Sequence, residues 1–326
     1  TCNTVCGGKL DIAGMILKLR TKFAQEDGLN PVHKFCLDTV ADRHLFHSML
    51  RIASVAQGMI TKGQPMIRHL PMFLSGLTAG RSLPSVAPQP FRDILPTIKQ
   101  DVPNPKGKIA IFTGCLLDFV YVDIATDVVK ALNMAGYIVE MPLGQACCGA
   151  PATYMGDVEN AKKAAEMNLN AMEAEKYDYI VSACPTCTHA LRDYVAFFKA
   201  DPAMPKKAEE LRSKTFDFCK LVSMLGGLPD TGDGVPMKVT YHDSCHLNRY
   251  LGVTKEQREL LKATKGVELI EMHDCDKCCG FGGSYSVKFP EMSAPILEEK
   301  INNIVASGAD VVAVDCPGCL LQIRGG

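Results

Sequence analysis

Net charge is almost absent from this chain of 326 residues: 35 Lys and Arg stand against 36 Asp and Glu, a formal −1. No run or stripe of basic residues disturbs that balance, which excludes nucleic acid as an expected partner. Apolar runs of the roughly 18 residues needed to span a bilayer are also missing, so the reading is a soluble chain. No secretory leader pattern stands at the start. No G-x-G-x-x-G follows a strand, which leaves no expected nucleotide or flavin site. Cysteine, by contrast, is in excess, with fifteen copies. Disulfide scaffolds are small secreted chains with poor cores. This chain is 47% hydrophobic, long enough for two similar domains and a smaller leading region, and its odd cysteine count forbids full internal pairing. Thiols grouped in short motifs in such a chain suit metal or cluster binding in a reducing compartment.

Cys2 and Cys6 form a C-x3-C pair that runs straight into a helical pattern at Ile12, Met15, Ile16 and Leu19. C-x3-C is the closing half of the bacterial ferredoxin ligand run, although Gly7 stands where that motif has proline. Residues 1–20 therefore read as the end of a ferredoxin-like module whose beginning is missing, with two buried thiols as the plain alternative. Residues 21–107 read as helices and a linker. Cys36 is expected in the core, and the Met-rich stretch from His44 to Leu83 is expected to be ordinary helical packing rather than a docking surface. Arg81 to Pro105 is proline-rich and reads as a linker ending at a domain boundary.

From Lys108 onward, short strands alternate with helices, and each strand delivers cysteine at its C-terminal end. Ile109–Thr113 leads to Cys115, Tyr137–Met141 to Cys147 and Cys148, and Tyr177–Val181 to Cys184 and Cys187. The order recurs: Met237–Tyr241 leads to Cys245, Val267–Met272 to Cys278 and Cys279, and Ala309–Val314 to Cys316 and Cys319. Helices are expected at Asp123–Met134, near Asp157, after a capping box at Thr254-x-x-Gln257, and from Ser293. The fold class is α/β, a duplicated βαβ-type unit with small parallel sheets, over residues 108–228 and 229–326.

The two spacings are C-x31-C-C-x35-C-x2-C and C-x32-C-C-x36-C-x2-C, and such near-identity over long loops marks one ligand set copied whole. In open α/β sheets ligands bind beyond the strand C-termini, where all ten of these cysteines fall. Each C-x2-C carries proline in its second position, suited to the first residue of a helix. The helix N–H groups would then face thiolates and lower their pKa. Gly149, Gly280, Gly282 and Gly283 are expected to let the backbone approach a bound cluster. Zinc takes four ligands, as does a cubane cluster, so five thiols with an adjacent pair fit a non-cubane cluster with bridging thiolates better. A vicinal disulfide or plain buried thiols are the alternative. His242 and His246 flank Cys245 and read either as hydrogen-bond donors to ligands or as ordinary loop histidines. His189 reads as structural, Cys219 as a core thiol beside Phe218, and Cys275 as a free thiol beside the site.

The motifs Thr113-Gly114-Cys115-Leu116-Leu117-Asp118, Gln145-Ala146-Cys147-Cys148-Gly149-Ala150-Pro151, His242-Asp243-Ser244-Cys245-His246, Cys278-Cys279-Gly280-Phe281-Gly282-Gly283-Ser284 and Asp315-Cys316-Pro317-Gly318-Cys319-Leu320 carry a resemblance over residues 108–326. Both halves resemble the CCG-domain proteins, which include the heterodisulfide reductase catalytic subunit and the glycolate oxidase and lactate-utilisation iron–sulfur subunits. The resemblance implies a non-cubane [4Fe–4S] cluster on Cys245, Cys278, Cys279, Cys316 and Cys319. It implies a second such cluster, with zinc as the alternative, on Cys115, Cys147, Cys148, Cys184 and Cys187. It also implies cubane [4Fe–4S] clusters in the ferredoxin-like part, held in this chain through Cys2 and Cys6, and a chain trimmed at both ends. The implied function is an electron-transfer subunit working with a flavoprotein 2-hydroxy-acid dehydrogenase or a membrane cytochrome, and with other iron–sulfur subunits. Its implied place is the cytoplasm, peripheral to the membrane's inner face through partners. The alternative is disulfide cleavage at the second cluster, with Cys245, Cys278 and Cys279 as the catalytic thiols.

Overall fold

The computed structural model describes residues 3, 6–61, 66–67, 82–199, 204–230, 232 and 234–326. Two parallel sheets organise it. The first has the order β2-β1-β3-β4, from β1 (Gly107–Ile111), β2 (Tyr137–Glu140), β3 (Tyr179–Ser182) and β4 (Thr215–Asp217). The second has the order β6-β5-β7, from β5 (Met237–His242), β6 (Val267–Leu269) and β7 (Val311–Val314). In both repeats the first strand lies in the middle. Ile109 pairs with Val139 and Tyr179, and Val239 with Leu269 and Val311. That shared topology is what the repeated spacings demanded, and in the first sheet β4 pairs with the outer side of β3.

Ile109, Ala110 and Ile111 are all fully buried, as expected of a strand covered on both faces, which reads as a continuous apolar run. Helix α4 (Val122–Met134) turns Ala125, Val128, Val129 and Leu132 inward at helical spacing. The short α5 (Ala150–Met155) follows the first cysteine pair, and α6 (Val158–Met172) is capped by Asp157, whose side chain accepts from the Asn160 N–H. α7 (Pro185–Asp193) and α12 (Pro317–Gly325) each begin with proline immediately after a cysteine N-cap. In the smaller second core Cys279, Cys316 and Cys319 are themselves buried beside Leu297 and Ile323.

The leading helices α1 (Ile12–Glu26), α2 (Pro31–Ala41) and α3 (Arg43–Thr61) rest on the first repeat. Arg20 Nη1 donates to the Tyr154 carbonyl at 2.9 Å, and Asn160 Nδ2 donates to Asp38 Oδ1 at 2.7 Å. Several sequence expectations change here. Cys36 is exposed, not in the core. Met49, Ile52 and Val55 are 43%, 68% and 73% exposed, so this part of the Met-rich stretch is not ordinary packing. The proline-rich stretch is docked rather than free: Phe91 and Leu95 enter the first core, and Arg92 is clamped to Asp118. The capping box at Thr254 does not form, because Lys255 is the N-cap of α10 (Glu256–Ala263) and the Thr254 N–H donates to the Glu256 carboxylate. α11 (Pro290–Ala306) starts a turn before Ser293 and contains Pro295. No helix among the described residues is long and apolar enough to cross a membrane.

Candidate metal centres

At the end of β1, Cys115 opens the turn Leu116–Phe119. Gln145 locks the adjacent loop to that strand, accepting from the Thr113 N–H at 2.9 Å and donating to the Ile111 carbonyl at 3.0 Å. Asn168 on α6 holds the Cys147 carbonyl at 2.9 Å, and the Tyr194 hydroxyl donates to the Cys148 carbonyl at 2.9 Å. Cys184 and Cys187 arrive on the first turn of α7. The five thiols form a contiguous chain in the order Cys115, Cys147, Cys148, Cys187, Cys184, each perturbing the protonation of the next. Cys147, Cys148, Cys184 and Cys187 are all buried.

The second repeat builds the same chain in the same order: Cys245, Cys278, Cys279, Cys319, Cys316. Its supports differ. Arg258 grips Asp243, two residues before Cys245, through Nη1 to Oδ1 at 3.0 Å and Nη2 to Oδ2 at 2.8 Å. Lys300, buried, donates from Nζ to the carbonyls of Asp274 (2.6 Å) and Cys275 (3.3 Å). Cys278 is the one exposed residue of the ten. Cys275 stays outside the chain of five, with its sulfur 3.5 Å from Arg258 Nη2.

Crowding sets the protonation of these arrays. Hydrogen bonds from Cys147 and Cys187 pull Cys148 down to about 6. Those from Cys245 and Cys279 pull Cys278 down to about 2. Cys316 falls to about 7, first through Cys319 and then, against burial, through the N–H groups of Cys319 and Gly318 and the Thr186 hydroxyl. The expected lowering by helix N–H groups is thus present at α12. Gly149 and Gly280 both adopt left-handed backbone, φ +79° and +84°. The Gly280 N–H donates to Cys278 Sγ at 3.3 Å, while a Cβ there would lie 2.8 Å from the Ser293 carbonyl oxygen. These turns aim backbone at sulfur and press the loop onto the next helix. Gly282 would crowd Tyr285, and nothing lies within 4 Å of a Cβ on Gly283, so the extra space at these two is not directed at the thiols.

The two arrays meet. His246 lies between first-repeat side chains, its Nε2 2.8 Å from the Tyr154 hydroxyl and its Nδ1 3.3 Å from Thr186 Oγ1. His189 packs against Tyr250 with ring centroids 4.6 Å apart. Cys219, half-buried rather than core, donates to Asp315 Oδ1 at 3.3 Å across the junction. A cavity of about 350 Å³ beside Asp217, Phe218, Asp315 and Leu320 exposes none of the ten cysteines. His242 is fully buried, and neither ring nitrogen has a hydrogen-bond partner at ordinary distance. Its pKa drops to about 4 through burial and Lys300, with Cys278 and Asp243 acting the other way. Cys6 is half-buried, and Cys2 lies outside the described residues. Sequence reasoning missed Tyr154, Thr186, Asn168 and Lys300. Thr186, inside C-P-T-C, was the one that a motif could have flagged.

A tetrahedral zinc site needs four sulfurs mutually about 3.8 Å apart, given its bond lengths of about 2.3 Å. Among the described residues, the only three donor atoms of His, Cys, Asp or Glu that lie within 4.8 Å of one another are those of His242, Cys279 and Cys319. The five thiols of each repeat are strung out more widely than one ion requires, which suits a polynuclear group, and clustered thiols of this kind suit iron and sulfide. The cysteine-rich CCG family model matches residues 109–192 and 239–324, both repeats. The chain belongs to this family. Lactate utilization protein A of Shouchella clausii is 38% identical over 218 residues, covering 67% of this chain and 90% of that protein. The protein of the same name from Bacillus subtilis is 36% identical over 219 residues, covering 67% and 91%. CCG membership, the mixed α/β fold and the small parallel sheets agree with the reading from sequence.

Proposed function

We propose that this CCG protein is an iron–sulfur electron carrier serving the oxidation of lactate or a related 2-hydroxy acid. Each repeat holds a non-cubane [4Fe–4S] cluster, the first on Cys115, Cys147, Cys148, Cys184 and Cys187, the second on Cys245, Cys278, Cys279, Cys316 and Cys319. The observation that carries this reading is the repeated five-thiol chain in one order, too extended for a single zinc ion. The names of the relatives supply the metabolic setting. Bound there, such a group supplies reversible one-electron exchange. The chain's own residues do the rest: Asn168, Tyr194, Arg258 and Lys300 fix the loops, and burial of the first array excludes water. Cys278 brings the second array to the surface, where a partner can approach. A flavoprotein dehydrogenase or a membrane cytochrome subunit fits as partner, in the cytoplasm or at the inner membrane face. The exposed apolar side chains of α1 to α3 offer it a docking face. Cys2 and Cys6 close a cubane site in the same reading, and the domain limits stay at 20, 107 and 228.

Anaerobic purification with iron, sulfide and zinc analysis tests this. [4Fe–4S] stoichiometry at both repeats is expected, and zinc without acid-labile sulfide sinks the proposal. The exposure of Cys278 also favours a second reading, disulfide reduction at the second site. Turnover of a disulfide by the isolated chain with a reduced dye would establish it. Co-purification with a flavin-containing 2-hydroxy-acid dehydrogenase supports the carrier.

A further inference from the structure

The two arrays share their cysteines but not their backing. Three residues before the first cysteine stands Phe112 in one repeat and His242 in the other, and one residue before it stand Gly114 and Ser244. Phe112 and His242 are both fully buried. A Cβ on Gly114 would lie 3.0 Å from Cys187 Sγ and 3.5 Å from a Phe112 ring carbon, so that ring edge borders the thiol's surroundings. The counterpart of Cys187 is Cys319, and a His242 ring nitrogen lies within 4.8 Å of the sulfurs of both Cys319 and Cys279. The first repeat thus presents only C–H at this place. The second presents an imidazole, which carries at least one N–H in either protonation state. Neither its nitrogens nor the Ser244 hydroxyl makes a hydrogen bond of ordinary geometry, although the backbone of Cys275 stands near enough to act on the ring. Buried polar groups left unpaired are uncommon in folded proteins, and each calls for an acceptor or ion.

We infer that His242 donates a hydrogen bond to sulfur of the iron–sulfur group in the second repeat and raises its reduction potential above that of the first. The inference rests on the cluster reading above. Hydrogen bonds to cluster sulfur stabilise the charge added on reduction. A higher potential at the site whose Cys278 is exposed would favour one-electron transfer from a group in the first repeat to one in the second, with no bond made or broken. His242 acts as a positioning and tuning residue, and Phe112 marks the site left untuned.

The experiment is an EPR-monitored redox titration of the anaerobically purified full chain, after iron and sulfide analysis. His242→Phe is expected to make reduction of the second group about tenfold less favourable, about 59 mV for a one-electron couple, with the first group unchanged. His242→Gln, which keeps a donor, stays near wild type. An unchanged midpoint in iron-loaded His242→Phe overturns the inference alone. So does strong nitrogen hyperfine coupling in the wild type, which means imidazole bound to iron. If His242→Phe loses its second group, Phe112→His decides: a raised midpoint of the first group supports the inference and an unmoved one overturns it. Wild-type protein carrying zinc and no sulfide overturns the cluster reading itself.

Discussion

Replacing Arg92 with methionine keeps the aliphatic packing of its stem and removes the cation facing Asp118. The wild-type pair is enclosed, at 9% and 0% side-chain exposure. Arg92 Nε donates to Asp118 Oδ2 at 2.7 Å, Nη2 donates to the same oxygen, and the Arg92 backbone N–H donates to Oδ1 at 3.0 Å. Breaking a buried pair by removing one partner costs about 3–5 kcal/mol. Burial already pushes Asp118 upward in pKa against the pull of Arg92. Without that pull the carboxyl takes up a proton instead of remaining a bare charge, which places the loss near the lower end, about 3 kcal/mol. The sign with pH follows. A folded-state pKa above the unfolded value means the folded variant binds the extra proton, so the deficit narrows as pH falls from 7 towards about 4. Urea unfolding followed by circular dichroism measures this in wild type, Arg92→Met and Arg92→Met/Asp118→Leu, the last expected to recover most of the loss. Because Asp118 lies in the turn that Cys115 opens, iron at the first repeat should fall in the single variant and return in the double. A loss under about 1 kcal/mol, or a double variant no better than the single, would refute the reasoning.

Lys300→Met removes a charged donor from the carbonyls of Asp274 and Cys275, which then keep the N–H groups of Lys277 and Asp243, and should cost about 1–3 kcal/mol in thermal unfolding; an unchanged midpoint temperature contradicts it. His47 is held neutral, its pKa lowered to about 3 by burial and then by Arg92, Arg43 and Arg51. The unfolded chain therefore binds the extra proton, and stability should fall as pH drops from about 6.5 towards 3, by about 1 kcal/mol after allowing for partial exposure. His47→Phe should flatten that part of the pH–stability curve, and an unaltered slope counts against the assignment. Cys279→Ser and Cys148→Ser should each lower iron content by about half without abolishing the other repeat's signal, and loss of both signals from either variant would show that the sites do not assemble independently.

What the sequence made legible was whatever is local or periodic. Ile109–Ile111 and Val311–Val314 read as strands because parallel strands are apolar on both faces, and Pro185 and Pro317 marked helix starts because proline suits the first helical position. The proline-rich stretch was misjudged for a physical reason. Its prolines do break regular structure, but Phe91 and Leu95 find a pocket that only the folded first repeat provides. Cys36 resembled a core thiol between Phe35 and Leu37, yet a helix on the outside of a domain turns only one side inward, and Leu37 is on that side. The capping box at Thr254 failed because the Glu256 carboxylate takes the Thr254 N–H that the Gln257 side-chain oxygen would have accepted. No spacing could give the order of thiols along each array, since that order depends on how α7 and α12 lie against the adjacent-cysteine loops.

Two copies of one unit within one chain need not keep identical contact residues, because each position can change independently in either copy. The junction shows this residue by residue. Leu116 follows Cys115 and packs into its own repeat's core, whereas His246 follows Cys245 and reaches across to Tyr154 and Thr186. Thr186 sits within the first C-x2-C and also steadies Cys316 of the other repeat. Its counterpart Gly318 has no such room, since a Cβ there would lie 2.8 Å from the Phe281 ring. Ala183 and Asp315 occupy equivalent places, and only Asp315 gathers Tyr241 and Cys219 around a half-buried carboxylate. Both copies carry all five cysteines, while the residues between and behind them differ. Under the proposal that each array holds an iron–sulfur group, differences in the electronic behaviour of the two sites would therefore arise from these neighbours and not from the ligands.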